Sequence, residues 1–326
     1  MRPESPRPKV LLTDYAWPEL SIERSVLEAA GTELVVADRT DEASLAELAA
    51  RESVAGIMTT WARVTASVIG ASPQLRIVAR LGIGLDNIDV ATATRLGVLV
   101  TNVPDYCLIE VAEHTLALML ALARKVGHYH WQTKTGIYAL PVSPPLRRVQ
   151  GQTLGLIGLG NIGRVVAAKA QALGLRVIAH TRTPAAEVGG VPWRPLDNLL
   201  VESDFVSLHV PSTPATRQMI GTRELALMKP TAYLINTARG ALVDHHALAA
   251  ALAAGRLAGA GLDVQEPEPP DLATPPWNDP RVIVTPHAAF VSAESLADLR
   301  RRAASQVADC LAGRTPPNVV NALRQN

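Results

Sequence analysis

The chain has 326 residues, 48% of them hydrophobic, and a formal net charge of +1. Its length allows two domains with sizeable cores, and its balanced charge gives no electrostatic basis for binding nucleic acid or an acidic membrane surface. Two cysteines, Cys107 and Cys310, make no disulfide framework, and no Cys and His cluster has the spacing of metal ligands. Because neither a secretory signal nor an apolar run of membrane-spanning length is evident, we expect a cytoplasmic protein. The absence of a Cys and His cluster leads us to expect no metal site.

Strand-like and helix-like segments alternate from the start of the chain, which indicates a parallel sheet with helices on both faces. The predicted strands of the first part cover residues 9–13, 33–37, 55–59, 75–79 and 98–101, and the predicted helices cover 18–30, 44–51, 65–71 and 86–96. A long apolar helix follows at 111–125. Its several apolar faces fit either ordinary core or a subunit interface, and we favour a homodimer.

A glycine motif, Gly158-Leu159-Gly160-Asn161-Ile162-Gly163, stands between a predicted strand at 153–157 and a predicted helix at 164–173. Glycines at this spacing permit a tight turn and let the backbone approach a pyrophosphate at the start of the helix. A glycine motif alone is weak evidence, but the strand before it and the helix after it are the context that a dinucleotide site requires. The motif therefore predicts a nicotinamide cofactor.

The next predicted strand, 174–179, leads into His180-Thr181-Arg182-Thr183. An NAD site usually has Asp or Glu at this point, where the carboxylate binds the ribose hydroxyls. An arginine with hydroxyl neighbours binds a 2′-phosphate instead. Thr181, Arg182 and Thr183 thus favour NADP(H), with NAD(H) possible; the alternative is that Arg182 is a solvated loop residue.

Polar residues follow the later strands, predicted at 205–210, 232–237, 259–264 and 282–285, where ligands bind in open α/β sheets. Arg239 can hold a substrate carboxylate or form a structural ion pair. Asp263 can accept a hydrogen bond from the nicotinamide amide. His287 can transfer the proton that accompanies hydride transfer, although a lone histidine is more often a core residue. Glu268 gains meaning beside His287, because a paired carboxylate would raise the imidazole pKa and orient the ring.

Over nearly its whole length the chain resembles the D-isomer-specific 2-hydroxyacid dehydrogenases. The motifs that carry the resemblance are Arg80-Leu81-Gly82-Ile83-Gly84-Leu85-Asp86-Asn87-Ile88-Asp89, the glycine motif, Asn236-Thr237-Ala238-Arg239-Gly240, Gly261-Leu262-Asp263-Val264 and Thr285-Pro286-His287-Ala288-Ala289. Residues 102–107 and 286–290 are most similar to the branch that includes the C-terminal binding protein corepressors. That branch often has Trp where this chain has Phe290.

The resemblance implies two doubly wound α/β domains. Residues 1–101 and 291–326 would form a flavodoxin-like substrate domain, and residues 102–290 a Rossmann dinucleotide-binding domain; we expect a long final helix, 292–312, to pack on the first of these. The implied reaction transfers a hydride between nicotinamide and C2 of a 2-keto or D-2-hydroxy acid.

The resemblance also implies roles for individual residues. Arg239 would bind the carboxylate and polarise the 2-keto oxygen, and His287, paired with Glu268, would be the acid/base. Substrate contacts are implied for the backbone amides of Leu81, Gly82, Ile83 and Gly84. Cofactor contacts are implied for Asn161, Ile162, His209, Val210, Pro211, Thr237, Ala238 and Asp263, beside the glycines.

A second interpretation belongs to another class of protein, a nucleotide-sensing corepressor-like binding protein with little turnover. The intact set of Arg239, Glu268 and His287 argues for the enzyme, because a sensor does not need all three. Thr59 and Trp61 follow a predicted strand and either shape the substrate pocket or pack internally. The motifs fit several 2-hydroxy acids as well as a phosphite- or phosphonate-type anion, and they fit either direction of the reaction.

Overall fold

The computed structural model describes residues 7–141, 145–183 and 187–321. Contacts divide the chain into two units, one formed by Met1–Tyr106 and Ser292–Asn326 and the other by Cys107–Val291. The division predicted at 101/102 and 290/291 falls slightly before each of these boundaries.

The chain alternates strands and helices as predicted. The first part contains β1 (Lys9–Leu12), α1 (Ser21–Ala29), β2 (Glu33–Val36), α2 (Glu42–Arg51), β3 (Gly56–Thr59), α3 (Ala66–Gly70), β4 (Ile77–Arg80), α4 (Val90–Arg95) and β5 (Leu99–Thr101). The second unit contains α5 (Leu108–Ala123), α6 (Val126–Lys134), β6 (Thr153–Ile157), α7 (Asn161–Ala172), β7 (Arg176–His180), β8 (Glu187–Val188), β9 (Val191–Pro192), α8 (Leu196–Glu202), β10 (Phe205–Leu208), α9 (Thr222–Leu227), β11 (Tyr233–Asn236), α10 (His245–Ala253), β12 (Gly259–Leu262) and β13 (Val282–Val284). The last helix is α11 (Ala293–Leu311).

The first unit is built on a parallel sheet with strand order β2-β1-β3-β4-β5, which is the flavodoxin-like order. Helix α11 returns to this unit, as expected, and packs on β3, β4 and α1. Gly56 allows the close approach, because a Cβ there would lie 2.9 Å from a methyl carbon of Val307. Helix α4 begins later than predicted because the Asp89 carboxylate accepts the Thr92 amide at 2.9 Å and caps it.

The second unit is built on a parallel sheet with strand order β13-β12-β11-β10-β6-β7. A further parallel bridge joins Ala179 of β7 to Trp193, just after β9, which extends the edge in the Rossmann manner. From β6 the chain moves outward to β7 and then crosses back to β10 on the other side. The carboxyl ends of β6 and β10 therefore flank the switch point at which open α/β sheets bind ligands.

Helix α5 packs against β11, β12 and α7 within the second unit. Gly261 of β12 makes room for it, since a Cβ there would lie 3.1 Å from Leu118 and 3.2 Å from Leu122. The helix thus serves as core of its own unit, and its predicted role in a subunit interface stays a prediction. A second helix, α6, follows after Lys125, whose φ is +52°; the sequence analysis missed it because its residues form no apolar face.

None of the helices in the described part of the chain combines the length and apolarity needed to span a bilayer.

Candidate active site

The glycine motif forms a tight turn between β6 and α7. Gly158 has φ +99°, and a Cβ there would collide with the backbone carbonyl of His209. A Cβ at Gly163 would collide with the carbonyl of Gly158, so both positions require glycine for packing. At Gly160, by contrast, a Cβ would meet nothing within 4 Å. The described packing does not require glycine there, and the open space leaves room for the approach of a dinucleotide pyrophosphate to the backbone.

Helix α7 starts at Asn161, directly behind this turn, and has no side-chain cap. The first amides of such a helix have no partner within the helix, and they carry the positive end of its dipole. Asn161 and Ile162 are therefore placed where a pyrophosphate is bound in dinucleotide sites.

The residues predicted to bind a 2′-phosphate lie beside the glycine turn. The amide of Gly158 donates to the carbonyl of His180 at 2.8 Å, which joins the turn to the end of β7. The Thr181 hydroxyl donates to the carbonyl of Thr183 at 2.9 Å, and Arg182 is exposed. The loop is thus closed by a hydrogen bond within itself, and the side chain of Arg182 is exposed to solvent.

His209 follows β10 on the other side of the switch point. Its amide donates to the carbonyl of Ile157 at 2.7 Å, and Nε2 lies 2.9 Å from the Ser207 hydroxyl. Burial lowers the pKa of His209 to about 4, so the ring is neutral near pH 7. Val210 and Pro211 continue from it, with Val210 partly buried and Pro211 exposed.

Arg239 ends the segment after β11, next to the loop that carries Glu268. A Cβ at Gly240 would collide with the backbone of Gln265, so these two segments touch backbone to backbone. Arg239 is half-buried, and its Nη1 donates to the carbonyl of Ala238 at 2.7 Å. The turn before it is closed by the Ala238 amide, which donates to the Asn236 side chain at 3.0 Å. Gly240 thus lets the segment of Arg239 lie against the loop that carries Glu268, and the charge of Arg239 acts on the Glu268 carboxylate.

Glu268 and His287, which the sequence analysis predicted to pair, are joined by a hydrogen bond. Oε2 of Glu268 lies 2.9 Å from Nδ1 of His287, and Oε1 accepts the Gln265 amide at 2.8 Å. Burial acts to raise the pKa of Glu268, but the hydrogen bond and charge of His287, the Gln265 amide and the charge of Arg239 together lower it. The carboxylate is therefore the acceptor, and His287 donates through Nδ1. The His287 ring also meets Phe290 edge-on, with centroids 6.2 Å apart.

Asp263 holds the loop on which His287 stands. His287 has φ +53°, a left-handed conformation that costs a residue with a Cβ about 1–2 kcal/mol. The fully buried Asp263 carboxylate accepts the amides of Ala288 at 2.8 Å and Ala289 at 2.9 Å, and its carbonyl accepts the His287 amide at 2.7 Å. These bonds stabilise the unusual backbone. The predicted contact between Asp263 and a nicotinamide amide stays a prediction.

Two polar residues of α5 that sequence analysis overlooked contact this region. His114 Nε2 lies 3.0 Å from the Thr285 hydroxyl and 3.5 Å from Oδ1 of Asp263. The Thr115 and Thr237 hydroxyls lie 2.9 Å apart. The signal was His114 and Thr115 directly before the apolar run of α5, because polar groups next to buried residues need partners.

The predicted carboxylate-binding loop belongs to the first unit. The amide of Leu81 donates to the carbonyl of Thr59 at 2.8 Å, so it is not available to a substrate and that part of the prediction is wrong. Within the described residues, the amides of Gly82, Ile83 and Gly84 meet no acceptor, and the prediction narrows to these three. Arg80 supports the loop, since its Nε donates to the carbonyl of Gly84 at 3.0 Å.

The loop after β3 is fixed by Asp14. Its carboxylate accepts the amides of Thr60 at 3.0 Å and Trp61 at 2.6 Å, while the Thr59 hydroxyl donates to the carbonyl of Ala62 at 2.9 Å. Thr59 is buried and Trp61 is exposed. Thr59 is therefore a structural residue of the loop, and the indole of Trp61 is directed outward from the core.

No group of three or more His, Cys, Asp or Glu side chains within the described ranges is arranged to hold a metal ion.

Comparison with known families agrees with the geometry of the second unit. A family model described as D-isomer specific 2-hydroxyacid dehydrogenase, NAD binding domain, matches residues 116–289, more than half of the chain. The chain belongs to this family of dehydrogenases. The matched range contains the glycine motif, Arg239, Glu268 and His287.

Individual members of the family show the same relationship. Glyoxylate reductase of Aeropyrum pernix is 41% identical over 283 residues, which cover 83% of this chain and 84% of that enzyme. D-3-phosphoglycerate dehydrogenase of Mycobacterium leprae is 38% identical over 96% of this chain, which spans 59% of that longer protein. An NADPH-dependent glyoxylate/hydroxypyruvate reductase of Sinorhizobium meliloti, solved with NADP and malonate, has a TM-score of 0.85 and 31% identity over 98% of this chain and 99% of its own. The two-domain α/β fold predicted from the sequence is confirmed.

Proposed function

We propose that this dehydrogenase interconverts a 2-keto acid and a D-2-hydroxy acid with His287 as the acid/base. The observation that carries the proposal is the 2.9 Å contact between Glu268 and His287. It lies in the unit that also holds the dinucleotide turn and Arg239. When bound, the nicotinamide dinucleotide supplies the hydride to C2 in reduction and accepts it in oxidation.

His287 moves the proton. With Nδ1 engaged by Glu268, Nε2 is the nitrogen that protonates the substrate oxygen during reduction and removes the proton during oxidation. The carboxylate of Glu268 keeps the ring in this orientation and stabilises its protonated form. Its lowered pKa keeps it charged throughout the working range of pH.

Arg239 supplies the fixed positive charge. Its guanidinium can bind the substrate carboxylate through parallel hydrogen bonds and stabilise the negative charge that develops on the 2-keto oxygen. The amides of Gly82, Ile83 and Gly84 are also proposed as donors to a substrate carboxylate.

We also propose a preference for NADP(H) over NAD(H). What supports it is the exposed cation of Arg182 beside the glycine turn, with Thr181 where a carboxylate would repel a 2′-phosphate. The S. meliloti reductase, a relative of known structure, is NADPH-dependent, which supports this choice.

The substrate class that we propose is a small 2-keto acid such as glyoxylate or hydroxypyruvate, because the relatives include a glyoxylate reductase and a glyoxylate/hydroxypyruvate reductase. The decisive experiment is a coenzyme-oxidation assay with glyoxylate, hydroxypyruvate and larger 2-keto acids, run with NADPH and NADH. Turnover with at least one 2-keto acid, abolished in His287→Ala, supports the enzyme. Tight dinucleotide binding without turnover of any of these keto acids would instead favour the corepressor-like sensor. The resemblance of this chain to the corepressor branch stays a prediction.

We further propose that the protein forms a homodimer through the segment that follows α5. This segment exposes several large apolar side chains, with Trp131 70%, Leu140 85% and Tyr138 94% accessible. Such side chains are stabilised when a partner removes them from water.

A further inference from the structure

We propose that Thr285 and His114 are positioning residues for His287, acting through the carboxylate of Asp263. This inference rests on the proposed role of His287 and adds two residues that do not themselves touch substrate. It starts from one hydroxyl group, that of Thr285, which lies 2.6 Å from Oδ1 of Asp263 and 3.0 Å from Nε2 of His114.

The direction of these hydrogen bonds follows from counting hydrogens. Both oxygens of Asp263 face amide donors, from Ala288 and Ala289, so the carboxylate is an acceptor. The single hydrogen of the Thr285 hydroxyl must therefore point to Asp263. The hydroxyl oxygen then accepts from His114, and Nε2 of His114 must carry a hydrogen. The structure thus assigns a donor role to a ring nitrogen whose hydrogen would otherwise be undetermined.

The same chain of bonds connects a rigid helix to the His287 loop. Helix α5 is packed on the sheet, and His114 projects from it to Thr285, which directly precedes Pro286 and His287. Asp263, held by Thr285, binds the amides that directly follow His287. The left-handed backbone of His287 is in this way fixed from both sides.

The adjacent residue of α5 makes a parallel connection. Thr115 contacts the Thr237 hydroxyl at 2.9 Å, at the end of the strand that leads to Arg239. One turn of α5 therefore supports the segments that carry both Arg239 and His287. This arrangement explains the polar side chain of Thr115, since the other buried residues of α5 are all apolar.

The test compares variants that remove a hydrogen bond with variants that keep it. Thr285→Val removes the hydroxyl at constant shape, and Thr285→Ser restores it. His114→Leu removes the donor, and His114→Gln replaces the ring N–H with an amide N–H of similar reach. Glu113→Gln is the matched control, since Glu113 is the neighbouring residue but contacts Lys169 at 2.9 Å on the exposed face of α5.

We expect Thr285→Val and His114→Leu to lower kcat by about 10-fold or more. Loss of a hydrogen-bond partner that orients a ligand has an effect of this size at metal sites. The dinucleotide Kd, measured by fluorescence, and the KM for the keto acid should stay within about 3-fold, because Arg239 and the glycine turn are untouched. The Ser and Gln variants should recover most of the lost rate. The control should match the wild type.

A double-mutant cycle gives the sharper readout, because coupling appears only if the two residues act together. In a His287→Ala background, Thr285→Val should cause no further loss of the residual rate. Three outcomes would overturn the inference. Thr285→Val could lower the residual rate of His287→Ala by as much as it lowers kcat of the wild type, Thr285→Ser could fail to restore kcat, or Thr285→Val could have wild-type kcat. The Thr285 pair decides the case if His114→Leu does not fold.

These outcomes differ from those that test the proposed function. Wild-type turnover in His287→Ala would overturn the proposed function and this inference with it. An inactive His287→Ala beside fully active Thr285→Val and His114→Leu would overturn only the positioning role. NMR of ¹⁵N-labelled histidines in the free enzyme adds an independent check, since His114 must show a protonated Nε2.

Discussion

Glu268 accepts a hydrogen bond from Nδ1 of His287 across 2.9 Å, and each of the two residues stands on a loop fixed by buried backbone contacts. The loop of Glu268 is pressed against Gly240, and the loop of His287 is held by Asp263. The fold therefore holds the hydrogen-bonded pair in one orientation, which in the proposed mechanism reduces the cost of arranging it during the reaction.

Replacing Glu268 with Gln should lower kcat for keto-acid reduction by about 100-fold, within the range of an acid/base group. Gln keeps a hydrogen-bond acceptor but removes the charge that stabilises protonated His287. The alkaline limb of the pH–rate profile for reduction should therefore move to lower pH. Steady-state kinetics from pH 5 to 9 would check this, and an unshifted limb with normal kcat would contradict the pairing.

Replacing Arg239 with Gln should raise the KM for the keto acid and lower kcat, each by about 10-fold or more, because a charge-assisted double hydrogen bond is lost. Arg239→Lys should recover only part of this effect, since an ammonium group cannot form the parallel pair. The dinucleotide Kd should stay unchanged in both variants. Equal loss of dinucleotide affinity would point to a structural role for Arg239 instead.

Replacing Arg182 with Ala should raise the KM for NADPH by about 10-fold while leaving that for NADH nearly unchanged, because only NADPH carries the 2′-phosphate. Adding Thr181→Asp should reverse the preference towards NADH, because a carboxylate repels the phosphate and binds the ribose hydroxyls. The measurement is kcat/KM for each coenzyme. A wild-type enzyme with higher kcat/KM for NADH would refute the coenzyme preference and leave the reaction class intact.

His209 should make the free protein less stable in acid. Its pKa is about 4 in the folded chain and 6.5 when exposed, so the unfolded chain binds the extra proton between these values. Its contribution is fully present above pH 6.5 and is lost as the pH falls to about 4, up to about 3 kcal/mol. Urea unfolding at pH 7 and pH 5 would measure the difference. His209→Gln should flatten the dependence; an unchanged slope would argue against it.

Replacing Trp131 and Tyr138 together with Ser should weaken a homodimer that uses the segment after α5. Each substitution removes an exposed aromatic side chain, and with it apolar surface that a partner would cover. Light scattering coupled to size exclusion, over a range of concentrations, would report the mass. A wild-type chain that is monomeric at every concentration would end this proposal, and a dimer unaffected by the double variant would move the interface elsewhere.

Several features of the fold were predictable because they depend on local sequence. The strands before Gly158, Arg239 and His287 are short apolar runs that alternate with helical segments, and this alternation indicates a parallel sheet. Helix α6 was not predictable, since it has no buried residue and no apolar periodicity. The start of α4 was placed too early because the helix begins only after Asp89, whose carboxylate caps it.

In the candidate site, too, some contacts were predictable from the sequence and others were not. That Glu268 and His287 would meet was expected from their types and from the resemblance of the chain to a known family. Other contacts had no counterpart in sequence. The Leu81 amide is taken by Thr59, and His114 reaches Thr285 across 171 positions of the chain.

By itself the sequence determined the alternating α/β architecture, the dinucleotide turn and the identity of the polar residues at the strand ends, because each depends on periodicity or chemistry within a few neighbouring residues. Only the tertiary structure decided which hydrogen bonds those residues make. Asp263, predicted as a nicotinamide contact, has its carboxylate directed to Thr285, Ala288 and Ala289, and these bonds help to hold the left-handed backbone of His287. Hydrogen bonds are short-ranged and directional, so their partners are selected by packing among distant segments and not by the order of residues along the chain.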